Sequence, residues 1–170
     1  MVTQAIATLD SHTYVGGDIL GILWKYANIH QSQVDWFVQE MNRIDAANKA
    51  IKSDAADLKS IAFFHIPLPE YREAWKEYLE NGYNSTANTE YIYGKVGEDE
   101  ESVSNGSKTY GVFCGIGDDT LFEQGYDAGL RGVFCGHDHY NHFALNYTKD
   151  GKTIKLTYGM SIDFLAYAPI

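Results

Sequence analysis

The sequence has too few cysteines for a disulfide-rich scaffold. Its 170 residues contain two cysteines, Cys114 and Cys135. Neither belongs to a CxxC pair, which excludes a zinc ribbon and a thioredoxin-like motif. The spacing does not decide whether the two form a disulfide, and two small buried thiols are the simpler expectation.

Basic residues are also scarce. There are 13 Lys and Arg against 23 Asp and Glu, which gives a formal net charge of −10 at pH 7. A nucleic-acid footprint needs clustered Lys and Arg to displace counterions, so this balance argues against one. It does not exclude a phosphorylated substrate, because bound divalent metal ions can reverse the field inside a pocket.

Long apolar runs are missing as well. The opening MVTQAIATLD lacks the basic start and apolar centre of a signal peptide. No stretch approaches the length needed to span a membrane, and the cell compartment is left open. The composition is otherwise that of a globular domain, with 45% hydrophobic and 14% aromatic residues.

Apolar periodicity predicts an α/β fold with a mixed sheet. The first three apolar strands alternate with three predicted helices, and two further apolar strands form a hairpin late in the chain, with its turn at 149–152. Residues 83–109 are polar and are expected to form a long surface excursion with one short strand. The predicted strands are 5–9, 61–66, 131–135, 143–147 and 153–158, with the short one at 91–93; the helices are 32–49, 69–80 and 120–129.

Histidines follow two of the predicted buried strands. His65 ends the strand at 61–66, and His137 and His139 follow the strand at 131–135. Side chains two apart on an extended backbone point the same way, and ligands gather at the carboxyl ends of strands in open α/β sheets. Because imidazole binds zinc and iron, the pattern indicates a shared metal site. The residues alone also allow two other interpretations. His65 could be a core residue, and His137 and His139 could lie on a surface turn.

Two motifs carry a resemblance to a known family. Phe-His-Ile-Pro-Leu-Pro-Glu-Tyr at 64–71 and Cys-Gly-His-Asp-His-Tyr-Asn-His-Phe at 135–143 resemble the last two metal motifs of the calcineurin-like metallophosphoesterases. The branch related to the purple acid phosphatases is the most similar. The likeness extends to Leu9-Asp10-Ser11 and to Ala166-Tyr167, and therefore covers nearly the whole chain.

The resemblance implies a fold, a chemistry and a set of ligands. The fold would be α/β, the C-terminal part of a four-layer αββα metallophosphoesterase sandwich with mixed sheets. Two divalent or mixed-valence ions (iron, manganese or zinc) would activate a water that attacks the phosphorus of a phosphorylated small molecule or protein. His65 and His137 would bind one ion and His139 the other, and no catalytic residue is assigned.

Three nearby residues receive smaller roles. Asn141 and His142 would lie at the rim of the substrate pocket, although a plain surface position is an equally open alternative. Asp138, between the two histidines, is interpreted as a loop residue that hydrogen-bonds its own backbone.

The earlier metal motifs of that family are absent. Gly-Asn-His does not occur. Asp10-Ser11-His12 matches Asp-x-His and Gly17-Asp18 matches Gly-Asp, but a crossover between parallel strands takes about a dozen residues or more. Residues 1–170 are therefore expected to be a single incomplete domain, the C-terminal half. Such a segment should bind metal weakly or not at all and be inactive alone.

Three functions remain on these grounds. The chain is part of a phosphoester hydrolase completed by sequence outside it, a non-catalytic binding or assembly module that retains the sheet, or a single-metal hydrolase built on the three histidines. A half-core also leaves apolar surface exposed, which favours self-association.

Overall fold

The structure is a computed structural model that describes residues 1–15, 25–104, 106–116 and 119–161. It confirms a mixed α/β fold with one six-stranded sheet. The strands are β1 Gln4–Thr8, β2 Tyr14–Val15, β3 Lys25–Tyr26, β4 Lys59–Phe63, β5 Thr89–Lys95, β6 Val103–Ser104, β7 Ser107–Lys108, β8 Leu130–Cys135, β9 His142–Lys149 and β10 Lys152–Tyr158; the helices are α1 Gln31–Ile51, α2 Pro69–Glu80 and α3 Leu121–Asp127.

The main sheet has the strand order β1-β4-β8-β10-β9-β5. The first four strands in that order are mutually parallel, whereas β9 pairs antiparallel with both β10 and β5. Asp150 and Gly151 join β9 to β10 with positive φ angles of 51° and 75°, which is the turn expected for a two-residue hairpin. The carboxyl ends of the four parallel strands therefore lie at one edge of the sheet.

The helices pack on one face of this sheet. The row of paired residues that faces them is small and apolar and runs through Ala7, Ala62, Val133 and Leu156, all buried. On the other face, Ile6 is 71% exposed and Phe63 is 38% exposed. Buried side chains of all three helices belong to the core on the first face, so the apolar residues of the second face lack a helical cover within the described ranges.

The polar excursion holds more structure than its composition predicts. The short strand expected at 91–93 is the seven-residue β5, which forms an edge of the main sheet. Most of its side chains are exposed because an edge strand has a neighbour on one side only, and this hides its pairing from the apolar pattern. A second small hairpin, β6–β7, follows.

The other predicted elements are confirmed with shifted ends. The strand expected to reach residue 66 stops at Phe63, so His65 lies just beyond it. Tyr14 and Val15 form the short strand β2, and residues 16–24 lie outside the described residues. Among the described helices, none combines the length and the apolar character that crossing a bilayer requires.

A buried group of charges joins α2, α3 and the end of β9. Lys149 donates from Nζ to Glu70 Oε1 over 2.8 Å and lies 3.1 Å from Glu123 Oε1. Asp119 is 8% exposed, and its Oδ1 accepts a hydrogen bond from the Leu121 N–H. Burial, reinforced by the carboxylate of Glu70, raises the pKa of Asp119 from 3.8 to about 7.

This shift predicts a pH dependence for Asp119→Asn. Between pH 4 and 7 the folded chain holds a proton on Asp119 that the unfolded chain has lost, so stability falls as the pH rises through this window. Asn keeps the acceptor for Leu121 but cannot ionise. The free energy of unfolding of the variant relative to wild type should therefore rise by about 2–4 kcal/mol from pH 4 to 7, as measured by urea titration.

Asp150→Asn is the matched control, because it makes the same change in an exposed hairpin turn where Asn also accepts a positive φ. The difference in unfolding free energy between this variant and wild type should not change with pH. If the difference for Asp119→Asn were also independent of pH, the raised pKa of Asp119 would be contradicted.

Candidate functional site

The three predicted metal ligands lie at the carboxyl edge of the sheet. β4 and β8 are parallel neighbours, and their pairing continues past the strands, since the Gly136 N–H donates to the His65 carbonyl over 3.2 Å. His65 therefore leaves the sheet beside the turn that carries His137 and His139.

The side chains of His65 and His137 face each other. His137 Nδ1 lies 3.4 Å from His65 Nε2, and the rings are perpendicular with centroids 5.2 Å apart. This separation is longer than an ordinary nitrogen-donor hydrogen bond, about 2.7–3.2 Å. Two nitrogens that each lie about 2.0–2.1 Å from one tetrahedral ion are about 3.3–3.4 Å apart. The pair thus has the spacing of two ligands on a single ion.

His137 is held in an uncommon conformation. Its φ is 94°, and the ring of Tyr26 packs edge-on against it at a centroid distance of 4.3 Å. Burial, together with the nearby rings of His65 and His139, lowers the pKa of His137 to about 4. Its imidazole is consequently neutral at pH 7, which is the form that binds metal.

His139 shares a pocket with His137. The pocket has a volume of about 190 Å³, and its other lining residues are Tyr26, Glu98, Phe113 and Asp138. The prediction that both histidines face one site agrees with this lining, but its reasoning from an extended backbone is wrong. Residues 136–140 form a turn after the strand. Because His137 has a positive φ, the side chains here do not alternate as they do along a strand.

The histidines do not form a complete metal cage. Within residues 1–15, 25–104, 106–116 and 119–161, no three side chains of His, Cys, Asp or Glu gather closely enough to hold an ion. The structure therefore brings His65 and His137 together as a pair. It places His139 on the adjoining pocket rather than as a third ligand of that pair.

Asp138 is an internal anchor of the turn. It is 7% exposed, and its Oδ2 accepts hydrogen bonds from the Phe113 N–H at 2.9 Å and from Asn141 Nδ2 at 3.2 Å. The Asp138 backbone N–H donates to the hydroxyl oxygen of Tyr158 over 2.8 Å. Burial raises the pKa of Asp138 to about 7. The expectation that this carboxylate bonds its own backbone is wrong, because the turn buries it against the 113 segment.

Asn141 is also inside the protein rather than at a pocket rim. It is 0% exposed. Its Oδ1 accepts from the N–H groups of Gly97 and Glu98, and its Nδ2 donates to the Gly111 carbonyl and to Asp138 Oδ2. These four bonds use the whole capacity of the amide. Asn141 therefore ties the excursion at 83–109 to the histidine turn and has no group left for a ligand.

His142 begins β9 and is half-buried opposite Lys95 of β5. It is not among the residues that line the 190 Å³ pocket. The structure therefore does not place His142 at the pocket rim. Its backbone pairs with β5 instead.

Glu98 and Tyr26 are among the pocket residues that the sequence did not identify. Glu98 begins the acidic run 98–101 in the polar excursion, and its Oε1 accepts from the Tyr140 N–H at 3.3 Å beside the pocket. Tyr26 lies in the two-residue strand β3. Neither carries a local pattern that distinguishes it from a surface residue, so only the tertiary contact identifies it.

The Asp-x-His match near the N-terminus forms a separate cluster. Asp10 Oδ2 lies 3.5 Å from His12 Nδ1, and His12 stacks on His30 at 3.8 Å between ring centroids. Gln33 Nε2 lies 3.3 Å from His12 Nε2. These contacts do not include His65 or His137. Gly17-Asp18 lies outside the described residues.

Comparison of the chain with protein-family models, with curated proteins and with solved structures found no match. The functional argument therefore depends on the geometry of the site.

Asn141→Ala tests the anchoring of the turn. The substitution removes the hydrogen-bond partner of the Gly97 and Glu98 N–H groups and of the Gly111 carbonyl. Each buried unsatisfied group costs about 1–3 kcal/mol, so the expected loss of unfolding free energy is about 2–4 kcal/mol. Asn146→Ala is the control, since Asn146 makes one exposed bond to Glu90, and it should cost well under half as much. Equal losses in chemical denaturation would show that Asn141 is not an anchor.

Proposed function

We propose that this chain carries the histidine part of a metal-dependent phosphoester hydrolase site. The observation that carries the proposal is the pair of facing nitrogens on His65 and His137, 3.4 Å apart at the carboxyl edge of a mostly parallel sheet. The resemblance of the segments 64–71 and 135–143 to metallophosphoesterase motifs supports the same assignment. The substrate class would be a phosphorylated small molecule or protein.

Each residue of the site has a separate task in this proposal. His65 and His137 would hold one ion, and His139 would face a second across the adjoining pocket. Such ions (iron, manganese or zinc) supply Lewis acidity to phosphoryl oxygens and lower the pKa of a bound water. Tyr26 restricts the ring of His137, and the buried Asp138 holds the turn in place.

The fold supports a domain with a further layer. Parallel sheets occur almost only with both faces covered, whereas here the helices cover one face and the other presents Ile6 and Phe63. We propose that this sheet is the C-terminal part of a four-layer αββα sandwich. The remaining metal ligands, above all carboxylates, would come from the rest of that sandwich, so the chain alone should lack phosphatase activity.

A second candidate is a non-catalytic binding or assembly module that retains the phosphoesterase sheet. The observation that favours it is the lack, in the described part of the chain, of a third ligand beside His65 and His137. A longer form of the protein that includes upstream sequence separates the two candidates. Hydrolysis of a generic phosphomonoester with added manganese supports the hydrolase, and inactivity of the longer form supports the module.

Titration with Zn²⁺ in a calorimeter tests the metal pair directly. Wild type should bind weakly, and His65→Ala and His137→Ala should each weaken binding by about tenfold or more, since even the loss of an outer-shell partner has effects of this size. His30→Ala is the control, because His30 is an exposed histidine away from the pair. If all three variants bound as wild type does, His65 and His137 would not be ligands.

A further inference from the structure

Strand β1 forms one edge of the main sheet. Among the strands that the structure describes, it pairs with β4 alone. The Leu9 N–H donates to the Phe63 carbonyl over 2.9 Å, so the odd-numbered residues of this stretch bond to β4. Because N–H and C=O directions alternate along a strand, the even-numbered residues direct theirs away from the sheet.

Helix α1 closes both ends of this edge with side-chain amides. Asn48 accepts from the Val2 N–H at 2.9 Å and donates to the Val2 carbonyl at 2.6 Å. Gln33 does the same for Asp10, at 2.8 Å and 2.7 Å. Each amide takes the place of a neighbouring strand for one residue. The free edge is therefore limited to the residues between Val2 and Asp10.

Three residues remain in this window, namely Gln4, Ile6 and Thr8, and all are exposed. Across the described ranges, no residue hydrogen-bonds their outward N–H and C=O groups. The strand QAIAT also has no charge, proline or bulge, which are the features that natural edge strands use to prevent pairing. β1 is thus a five-residue edge strand without these features.

The opposite edge, β5, is protected by comparison. It contains Glu90 and Lys95, and its pairing with β9 shifts between Tyr91 and Tyr93. Its Tyr91 N–H is already bound by Ser85 Oγ at 2.9 Å. The two edges of one sheet therefore differ, which indicates that β1 is the edge suited to a partner.

We propose that β1 pairs antiparallel with β1 of a second copy of the chain, across a two-fold axis at Ile6. Ile6 then lies opposite Ile6, and Gln4 opposite Thr8. Residues that point outward form the hydrogen-bonded pairs of an antiparallel ladder. The three-residue window consequently pairs with itself in one register, and every free group in it finds a partner.

The side chains and charges agree with this symmetry. Ile6 is 71% exposed and stands next to Ile61 of β4, so pairing joins the isoleucines of both copies into one apolar stripe. Lys59 lies across from Gln4 at one end of the window, and Asp10, 73% exposed, follows the other end. The two-fold axis brings Lys59 of each copy to the end that carries Asp10 of the other, so charges of opposite sign lie at the same end of the interface.

Sedimentation velocity over a wide concentration range tests the proposal. Wild type should form dimers. Ile6→Lys places two like charges directly opposite each other at the axis, which is destabilising, and should raise the dimer dissociation constant by about tenfold or more, equivalent to 1.4 kcal/mol. Ile92→Lys, the same change at a partly exposed isoleucine of β5, should dimerise as wild type does.

Ile6→Pro is a second variant that leaves the fold intact. The N–H of residue 6 points outward, so its loss spares the pairing of β1 with β4, and proline is tolerated on edge strands at such positions. Amide hydrogen exchange should show protection of Gln4, Ile6 and Thr8 in concentrated wild type and its loss for positions 4 and 8 in this variant. A monomeric wild type, a dimer unaffected by Ile6→Lys, or a dimer with these amides unprotected would each overturn the proposal.

Discussion

The parallel pairing of β4 with β8 is the constraint on which the rest of the structure depends. These strands form the centre of the parallel part of the sheet, and Ala62 and Val133 pair across them in the core. Because both strands run the same way, the chain leaves them at the same edge, which brings His65 beside His137. A one-residue shift in this register would turn the core side chains outward and separate the two rings, so stability and site geometry depend on the same hydrogen bonds.

The anchors of the histidine turn explain how a strained residue is retained. His137 has a positive φ, which costs energy for a residue other than glycine. The turn keeps this conformation because Asp138 and Asn141 are buried and hydrogen-bonded. These two residues lie on either side of His139 in the chain. Their contacts fix the direction in which His137 and His139 face the pocket.

The sequence predicted the central strands, the helices and the position of the histidines, because buried elements carry apolar periodicity. It did not predict the length of β5, since an edge strand buries few of its side chains. The inward positions of Asp138 and Asn141 could not be read from the sequence either, because their partners lie on segments 25–44 residues away. Local patterns indicate where a polar residue lies in the chain but not which distant backbone group it meets.

The facing pair His65–His137 and the sheet face that has no helix on it within the described residues have one common explanation in the proposed function. A layer packed on the second face would cover Phe63 and Phe134, whose rings stack at 4.7 Å, and its strand ends would reach the edge that carries His65 and His137. The free β1 edge is a different feature, because its open groups lie in the plane of the sheet rather than on its face. A layer that completed the metal site would leave the edge unpaired. The proposed metal site and the proposed dimer interface therefore use different parts of this sheet.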